Sequence, residues 1–244
     1  MISVRFLGSG DAFGSGGRFQ ACISVRAGGS HLLLDCGASS LIAMRRLELA
    51  PASVDAVLVS HLHGDHFGGL PFLILDAQFG HRQRPLLVAG PPGTRDRVLQ
   101  AMEVLFPGSS RTEREFELSF IELIPQTETT IGTIAVSAYE VIHASGAPAY
   151  ALRLAHAGKV VAYSGDAAWS DALAEAAGGA DLFICEAYSF EKPIKYHLDY
   201  ATLRDQRARL ACGRIILTHM SADMLARRAE VGEELAEDGL TLTV

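Results

Sequence analysis

The segment HLHGDH, residues 61–66, is the part of this sequence whose residue types point most directly to chemistry. Its imidazoles and its carboxylate belong to His61, His63, Asp65 and His66. Imidazole nitrogen and carboxylate oxygen are ligands of Zn²⁺, and one tetrahedral zinc ion takes no more than four ligands. Four such side chains within six residues therefore suit the start of two adjacent metal sites. The alternative is a solvated polar loop.

Three further candidate ligands stand at the ends of apolar runs elsewhere in the chain. His143 ends VSAYEVIH, Asp166 ends VVAYSGD and His219 ends RIILTH, just as VDAVLVS leads into His61. If these runs are strands, the polar residues emerge together at the carboxyl edge of a sheet. Each alone could be a hydrogen-bonded core residue, but their agreement predicts metal ligands. A site drawn from so much of the chain also predicts a single domain over residues 1–244.

The elements that must position these residues are strands followed by helices, in both halves of the chain. ISVRFLG (2–8) alternates apolar and polar residues, and DLFICEA (181–187) is a continuous apolar run, as is typical of strands. Residues 94–106 have an amphipathic helical pattern, and residues 221–236 are also predicted to be helical. Gly64 is expected to allow a sharp turn inside the histidine motif. The pattern predicts an α/β (α+β) fold with two packed sheets and helices outside.

The composition narrows the class of protein. A net charge of −7 and a pI of about 5.7 disfavour a protein that coats itself in nucleic acid, so no DNA partner is expected. The longest apolar runs are far shorter than a membrane span, and the N-terminus lacks the pattern of a signal peptide. No membrane partner is therefore expected. The cysteines form no C-x-x-C pair, which predicts reduced thiols in a cytoplasmic protein. They are Cys22, Cys36, Cys185 and Cys212.

The motif and the strand-end residues together resemble the metallo-β-lactamase-fold hydrolases. The family pattern H-x-H-x-D-H, followed by separate His, Asp and His residues, is matched at every position. The resemblance implies an αββα sandwich of two mixed β-sheets with helices on the outer faces, and a dinuclear centre at one edge. It assigns His61, His63 and His143 to one metal. It assigns Asp65, His66 and His219 to the other, with Asp166 bridging the two.

Longer phrases resemble the ribonuclease Z and cyclic phosphodiesterase branch of that family over nearly the whole chain. They are RFLGSGDAF, LLLDCG, SHLHGDHFGGLP, PLLVAGPPG and LTHMS. A water bridging two metals would be the nucleophile, and Asp65 could orient it while also binding a metal. The resemblance suggests a homodimer. It implies that His197 donates the proton to the leaving group and that Glu186 orients His197. Ligands without thiolate suit two Zn²⁺ ions first, with Mn²⁺ or Fe²⁺ as alternatives.

The chain also departs from the ribonuclease Z pattern. Tyr188 replaces the usual Thr after Glu-Ala. Only 22 residues separate His143 from Asp166, so there is no room for the long arm with which many ribonuclease Z chains grip tRNA. Basic residues for phosphate contacts are few. The modest candidates are Arg82, Arg84, Arg95 and Arg97.

These features favour a metal-dependent phosphodiesterase, acting on a cyclic nucleotide, another small phosphodiester or an RNA 3′ end. A carboxylic ester, lactone or thioester hydrolase on the same dinuclear scaffold is the first alternative. A non-catalytic metal-binding or nucleotide-binding module is the second. His197 separates these possibilities, because a proton donor for an alkoxide leaving group fits a phosphodiester best. His197 could instead be a surface residue, with Glu186 merely ending a strand.

Overall fold

A computed structural model describes residues 1–244, and two seven-stranded sheets form its centre. Most of the first sheet comes from the N-terminal half of the chain. Its strands are β1 (Ser3–Gly8), β2 (Cys22–Ala27), β3 (Ser30–Leu34), β4 (Ala56–Leu58), β5 (Leu86–Gly90) and β6 (Leu118–Glu122). Strands β1 to β3 are antiparallel neighbours, whereas β3 to β6 are parallel. The parallel strands therefore send their carboxyl ends to one edge.

The second sheet comes from the C-terminal half. Its strands are β7 (Thr129–Ile131), β8 (Ile134–Val141), β9 (Ala149–His156), β10 (Lys159–Tyr163), β11 (Leu182–Glu186), β12 (Arg214–Thr218) and β13 (Glu234–Leu235). Strands β7 to β10 are antiparallel, and β10 to β13 are parallel. The last strand, β14 (Thr241–Thr243), crosses back and pairs antiparallel with β1. The C-terminal strand β14 thus completes the sheet that the N-terminal half of the chain forms.

Seven helices flank the sheets. They are α1 (Ser40–Arg46), α2 (Gly64–Phe67), α3 (Leu70–Phe79), α4 (Thr94–Leu105), α5 (Asp171–Ala177), α6 (Tyr200–Gln206) and α7 (Ala222–Ala226). None has the length and apolar character that crossing a bilayer requires. The predicted helix over residues 221–236 is wrong beyond Ala226, because the chain turns there and forms β13 on the edge of the second sheet.

Three apolar clusters give the layers. A cluster of 26 buried residues joins the facing sides of the two sheets, including Phe6, Leu32 and Tyr163. A second cluster packs α1, α3 and α4 on the outer face of the first sheet, and a third packs α5, α6 and α7 on the second. Strand residues alternate between the inner and outer clusters because successive side chains point to opposite faces. The predicted αββα sandwich is confirmed.

The two sheets are also joined at the edge where the parallel strands end. The backbone N–H of Tyr150 in β9 donates to the carbonyl of Ser60, which follows β4, at 2.9 Å. The Tyr163 hydroxyl at the end of β10 donates to the buried carboxylate of Asp35, which follows β3, at 2.8 Å. These bonds bring the carboxyl ends of β3, β4 and β10 and the beginning of the antiparallel strand β9 into one polar cluster.

Candidate metal centre

The histidine motif is divided between the end of a strand and the first turn of a helix. His61 follows β4, His63 caps α2, and Asp65 and His66 lie within α2. The chain does turn at Gly64, where extended His63 leads into α2, but this turn does not need a glycine. The φ of Gly64 is not positive, and a Cβ added there would meet no atom within 4 Å.

Close backbone packing against the turn after β3 places this short helix, and other glycines make it possible. The Cys36 N–H donates to the His66 carbonyl at 2.6 Å. A Cβ on Gly37 would lie 2.2 Å from the Asp65 carbonyl oxygen, and a Cβ on Gly69 would lie 2.2 Å from that of Gly37. Glycine is required at both positions because neither backbone contact can give way.

The first group of candidate ligands is His61, His63 and His143. One ring nitrogen from each lies within 4.8 Å of the others, a spacing that fits one bound ion. His143 Nε2 and His63 Nδ1 are 3.1 Å apart. His61 is fully buried, and the other two are half-buried. Two sheets contribute, since His143 follows β8 and His61 follows β4.

The second group is Asp65, His66, Asp166 and His219, whose ligand atoms also lie within 4.8 Å of one another. Asp166 lies between the groups. Its Oδ1 is 3.2 Å from His66 Nε2, and its Oδ2 is 3.2 Å from His219 Nε2 and 3.8 Å from His61 Nε2. A carboxylate in this position can reach ions on both sides, as the resemblance implies.

Unpartnered buried atoms test whether these residues fit a metal. His61 Nε2, His66 Nε2 and Asp166 Oδ1 are buried and accept or donate no hydrogen bond within the chain. Buried polar atoms are almost always satisfied, because leaving one unpaired costs about 1–3 kcal/mol. All three atoms face the candidate groups and belong to types that bind divalent metals. The residues therefore fit a divalent metal ion, and the predicted site residues come together here.

Burial and neighbouring charges shift the pKa values of the candidate ligands in opposite directions. Burial lowers the pKa of His61 well below its usual value, which keeps the imidazole neutral, as metal binding requires. Burial acts in the same direction on His66, but the carboxylates of Asp166 and Asp35 outweigh it and raise the pKa of His66. Burial would raise the pKa of Asp166, but His219 and His66 hold it well below its usual value. The centre thus favours charged carboxylates among imidazoles.

A fully buried carboxylate behind His66 was missed as a functional residue by the sequence reasoning. Asp35 accepts from His66 Nδ1 at 2.7 Å, from the Ser60 hydroxyl at 2.8 Å and from the Tyr163 hydroxyl at 2.8 Å. This bond leaves Nε2 of His66 for the metal side and fixes the tautomer. The only signal in the sequence was the phrase LLLDCG, in which Asp35 ends a strand.

Beside the candidate ligands, His197 and Glu186 form a pair. His197 Nδ1 hydrogen-bonds to Glu186 Oε1, and the second carboxylate oxygen accepts from the N–H groups of Ala167 at 2.9 Å and Leu198 at 3.1 Å. Glu186 is fully buried at the end of β11, whereas the side chain of His197 is 20% exposed. Burial would lower the pKa of His197, but the hydrogen bond and charge of Glu186 outweigh it and raise that pKa. The ring of Tyr188 lies 4.7 Å from the His197 ring.

The pair also lies close to the second ligand group, and atoms of Asp166, Glu186, His197 and His219 lie within 4.8 Å of one another. Yet His197 Nδ1 and both oxygens of Glu186 already have hydrogen-bond partners. This partnering favours an oriented imidazole over a third metal site. It also disfavours a surface role for His197.

The arginines proposed for phosphate contacts are largely committed elsewhere. Arg82 is buried and donates to the backbone carbonyls of Ala52, Val54, Arg84 and Pro85. Arg84 forms an ion pair with Asp55, and Arg95 lies 3.3 Å from Asp96. Arg97 Nη2 lies 3.6 Å from the position of a Cβ on Gly146, in the loop after His143.

Comparison with known proteins shows the family to which the chain belongs. The model of the family described as Anti-Pycsar protein Apyc1 matches residues 2–237. This chain belongs to the Apyc1 family. Among curated proteins, the chain is similar to ribonuclease Z of Agathobacter rectalis, with 26% identity over a gapped alignment of 277 positions that covers 92% of this chain and 89% of the relative. It is 33% identical to ribonuclease Z of Lachnoclostridium phytofermentans over 162 residues. That match covers 66% of this chain but about half of the relative, 51%.

Solved structures agree with the fold of this member of the Apyc1 family. The metallo-β-lactamase-fold protein YhfI from Bacillus subtilis has a TM-score of 0.81 at 20% identity and covers 99% of this chain and 98% of its own. The short form of human tRNase Z, ELAC1, has a TM-score of 0.80 at 24% identity and covers 99% of both chains. The resemblance to the ribonuclease Z branch of metallo-β-lactamase-fold hydrolases is confirmed.

Proposed function

We propose that this chain is a divalent-metal-dependent phosphodiesterase that hydrolyses small phosphodiesters, cyclic nucleotides foremost. The observation that carries the proposal is an oriented imidazole beside the metal ligands. His197 is held by a buried carboxylate, and its Nδ1 lies 3.9 Å from Asp166 Oδ2. A carbonyl ester with a good leaving group needs no such donor, whereas the alkoxide leaving group of a phosphodiester does.

The residues that would hold the metals follow the two ligand groups. His61, His63 and His143 would hold one ion, and Asp65, His66 and His219 the other, with Asp166 shared. Imidazole and carboxylate ligands without thiolate suit Zn²⁺ first, and also Mn²⁺ or Fe²⁺. When bound, two such ions would supply a water activated near neutral pH and would neutralise charge on the phosphate oxygens.

The protein side chains then orient the attack and supply a proton. The Asp65 carboxylate accepts a hydrogen bond from the attacking water and aims its oxygen at phosphorus. Because His197 Nδ1 faces Glu186, its Nε2 is the atom that presents a proton to the leaving oxygen. Glu186 stabilises the imidazolium before transfer, which keeps the donor loaded near neutral pH.

The size of the substrate follows from what surrounds the site. The 22 residues between His143 and Asp166 form only a short loop, β9, a tight turn and β10. The alignment with the A. rectalis ribonuclease Z spans 277 positions, more than the 244 residues of this chain, so that relative carries segments absent here. The net charge is −7, and Arg82 and Arg84 are engaged in contacts within the chain, so a small phosphodiester is favoured over a long RNA.

A turnover panel on the metal-loaded protein tests the proposal. The substrates are bis-aryl phosphate, 2′,3′- and 3′,5′-cyclic nucleotides, pre-tRNA, a lactone and a β-lactam. We expect turnover of the aryl phosphate and a cyclic nucleotide, and little cleavage of pre-tRNA. Activity restricted to carbonyl substrates would favour the ester hydrolase instead. Metal binding without turnover of any substrate would favour a non-catalytic module.

We also propose that residues 1–244 act as one domain, in the cytoplasm and as a homodimer. Four unpaired cysteines, three of them buried, suit a reducing compartment. The ribonuclease Z resemblance suggests the dimer. Light scattering coupled to size-exclusion chromatography is expected to give twice the chain mass of 26.1 kDa.

A further inference from the structure

The residue immediately before His197 has an unusual backbone. Tyr196 has φ of +70°, in the left-handed region that residues other than glycine seldom occupy. It is the third residue of a turn closed by a hydrogen bond from the His197 N–H to the Ile194 carbonyl at 3.0 Å. Turns with a positive φ at this position normally use Gly or Asn. A tyrosine there is a strained choice, and such strain concentrates at functional sites.

The carbonyl of this strained residue contacts a candidate metal ligand. The Tyr196 oxygen lies 2.9 Å from Nδ1 of His143, far away in the sequence. A carbonyl can only accept, so the proton of the neutral His143 ring sits on Nδ1 when this bond forms. Nε2 then carries the free lone pair, and it faces His63 and His61. The second partner of a ligating histidine sets its tautomer and tilt in this way.

The same turn sets the position of the proposed proton donor. His197 follows Tyr196 directly, its ring centroid is 5.0 Å from that of His143, and its Nδ1 is bound to Glu186. A change in the Tyr196 backbone would move the carbonyl from His143 and displace His197 together. The side chain of Tyr196 is half-buried and carries the Lys195 ammonium 4.6 Å above its ring.

We propose that Tyr196 is a positioning residue whose left-handed backbone couples the metal ligand His143 to the proton donor His197. The inference rests on the proposed metal site and goes beyond it, because it assigns the role to a backbone conformation. A residue that keeps a positive φ at position 196 is expected to keep the contact with His143 and the position of His197. A residue that disfavours a positive φ is expected to disturb both.

The first test uses the wild-type protein loaded with zinc and labelled with ¹⁵N-histidine. Long-range ¹H–¹⁵N spectra distinguish the two ring nitrogens, and the His143 signals are identified by their loss in His143→Gln. We expect a proton on Nδ1 and zinc on Nε2. Zinc on Nδ1 of His143 overturns the inference and leaves the proposed function standing. A wild-type protein that binds no divalent metal overturns both.

The second test compares two substitutions at the same position by zinc competition with a chelator. Tyr196→Gly favours the positive φ and is expected to keep the wild-type zinc affinity. Tyr196→Val disfavours it strongly and is expected to weaken zinc binding by about 10–100-fold, as loss of a ligand's orienting partner does. Equal losses in both variants, or no loss in Tyr196→Val, overturn the inference.

A matched control separates local strain from general destabilisation. Ala157 also has a positive φ, 48°, but it is exposed in the turn between β9 and β10, at the end of these strands away from the metal centre. Ala157→Val introduces the same conflict there and is expected to lower the melting temperature without changing zinc affinity. If Tyr196→Val fails to fold, zinc on Nδ1 of His143 or a loss of zinc affinity in Tyr196→Gly would still overturn the inference. Reduced zinc affinity in Ala157→Val would overturn it.

Discussion

Strand β3 begins beside one buried histidine and ends beside another, and the two differ in their partners. At its start, His31 Nε2 lies 2.8 Å from the Ser24 hydroxyl, and Nδ1 lies 3.0 Å from that of Ser53. Beyond its end, Asp35 holds Nδ1 of His66, whose Nε2 has no partner within the chain. Both histidines are buried. Burial alone therefore does not mark a metal ligand, but an unpartnered nitrogen among others of its kind does.

Protonation separates the two ends in the same way. Burial, aided by the charge of Arg26, lowers the pKa of His31 to about 4, so this ring stays neutral as a packing group. At the other end the carboxylates around His66 raise its pKa. His31 is therefore a neutral core residue with partners on both ring nitrogens, whereas His66 lies among carboxylates and leaves Nε2 for a ligand.

Removal of the shared carboxylate is expected to have the largest effect. Asp166→Ala deletes the one side chain that lies between both ligand groups. We expect turnover of bis-aryl phosphate to fall by about 10³-fold or more, together with the amount of metal bound per chain. Kinetics and elemental analysis measure the two. The control is Asp181→Ala, which removes a surface ion pair with Lys159. Unchanged metal content and turnover in Asp166→Ala would contradict the assigned ligand set.

Removal of the proton donor is expected to affect catalysis without affecting metal. His197→Ala should keep its metals and lose about 10²–10⁴-fold in turnover of cyclic nucleotides, whose leaving groups are poor. Turnover of bis-aryl phosphate should fall much less, because its leaving group needs little help. Glu186→Gln should show a weaker form of the same pattern. The control is His156→Ala, which lies far along β9 from the site. Lost metal, or equal loss on both substrates, would refute the assignment.

The smallest expected effect concerns stability at the other end of β3. Because the pKa of His31 is about 4 in the folded protein and about 6.5 in the unfolded chain, the unfolded chain binds more protons between these values. His31 therefore destabilises the fold as pH falls from 6.5 towards 4, by up to a few kcal/mol. Urea unfolding at pH 7.5 and 4.5 measures this for wild type and His31→Gln. The variant should lose less stability on acidification, and a loss as large as that of wild type would argue against a neutral buried His31.

Much of the candidate centre could be predicted because its residues follow apolar runs. Parallel strands place their carboxyl ends together, so His61, Asp166 and His219 could be grouped before their contacts were known. The orienting residues could not be found in this way. Asp35 looks like any polar residue at a strand end, and Tyr196 acts through a backbone carbonyl that no sequence pattern displays.

The predicted role of Gly64 and the predicted helix over residues 221–236 failed for the same reason, because contacts with distant parts of the chain decide both. Gly64 stands inside the motif and seemed to be the flexible position, but the tight contacts fall on Gly37 and Gly69, whose neighbours come from another part of the chain. Residues 221–236 read as one helix, yet the open edge of the second sheet takes Glu234–Leu235 as β13. Tertiary hydrogen bonding outweighs local helical preference at such an edge.

The sequence by itself determined the types and order of the candidate ligands, the strand-and-helix plan and the pairing of His197 with Glu186. The ligands and the strand-and-helix plan follow from local patterns, because strand periodicity and ligand chemistry depend on residues near one another. The pairing of His197 with Glu186 came from the resemblance to the ribonuclease Z branch. The tertiary structure decided which nitrogen of each histidine faces its neighbours. That choice rests on hydrogen bonds to Asp35, Glu186 and the Tyr196 carbonyl, and two of these three partners are far away in the sequence from the ring they hold.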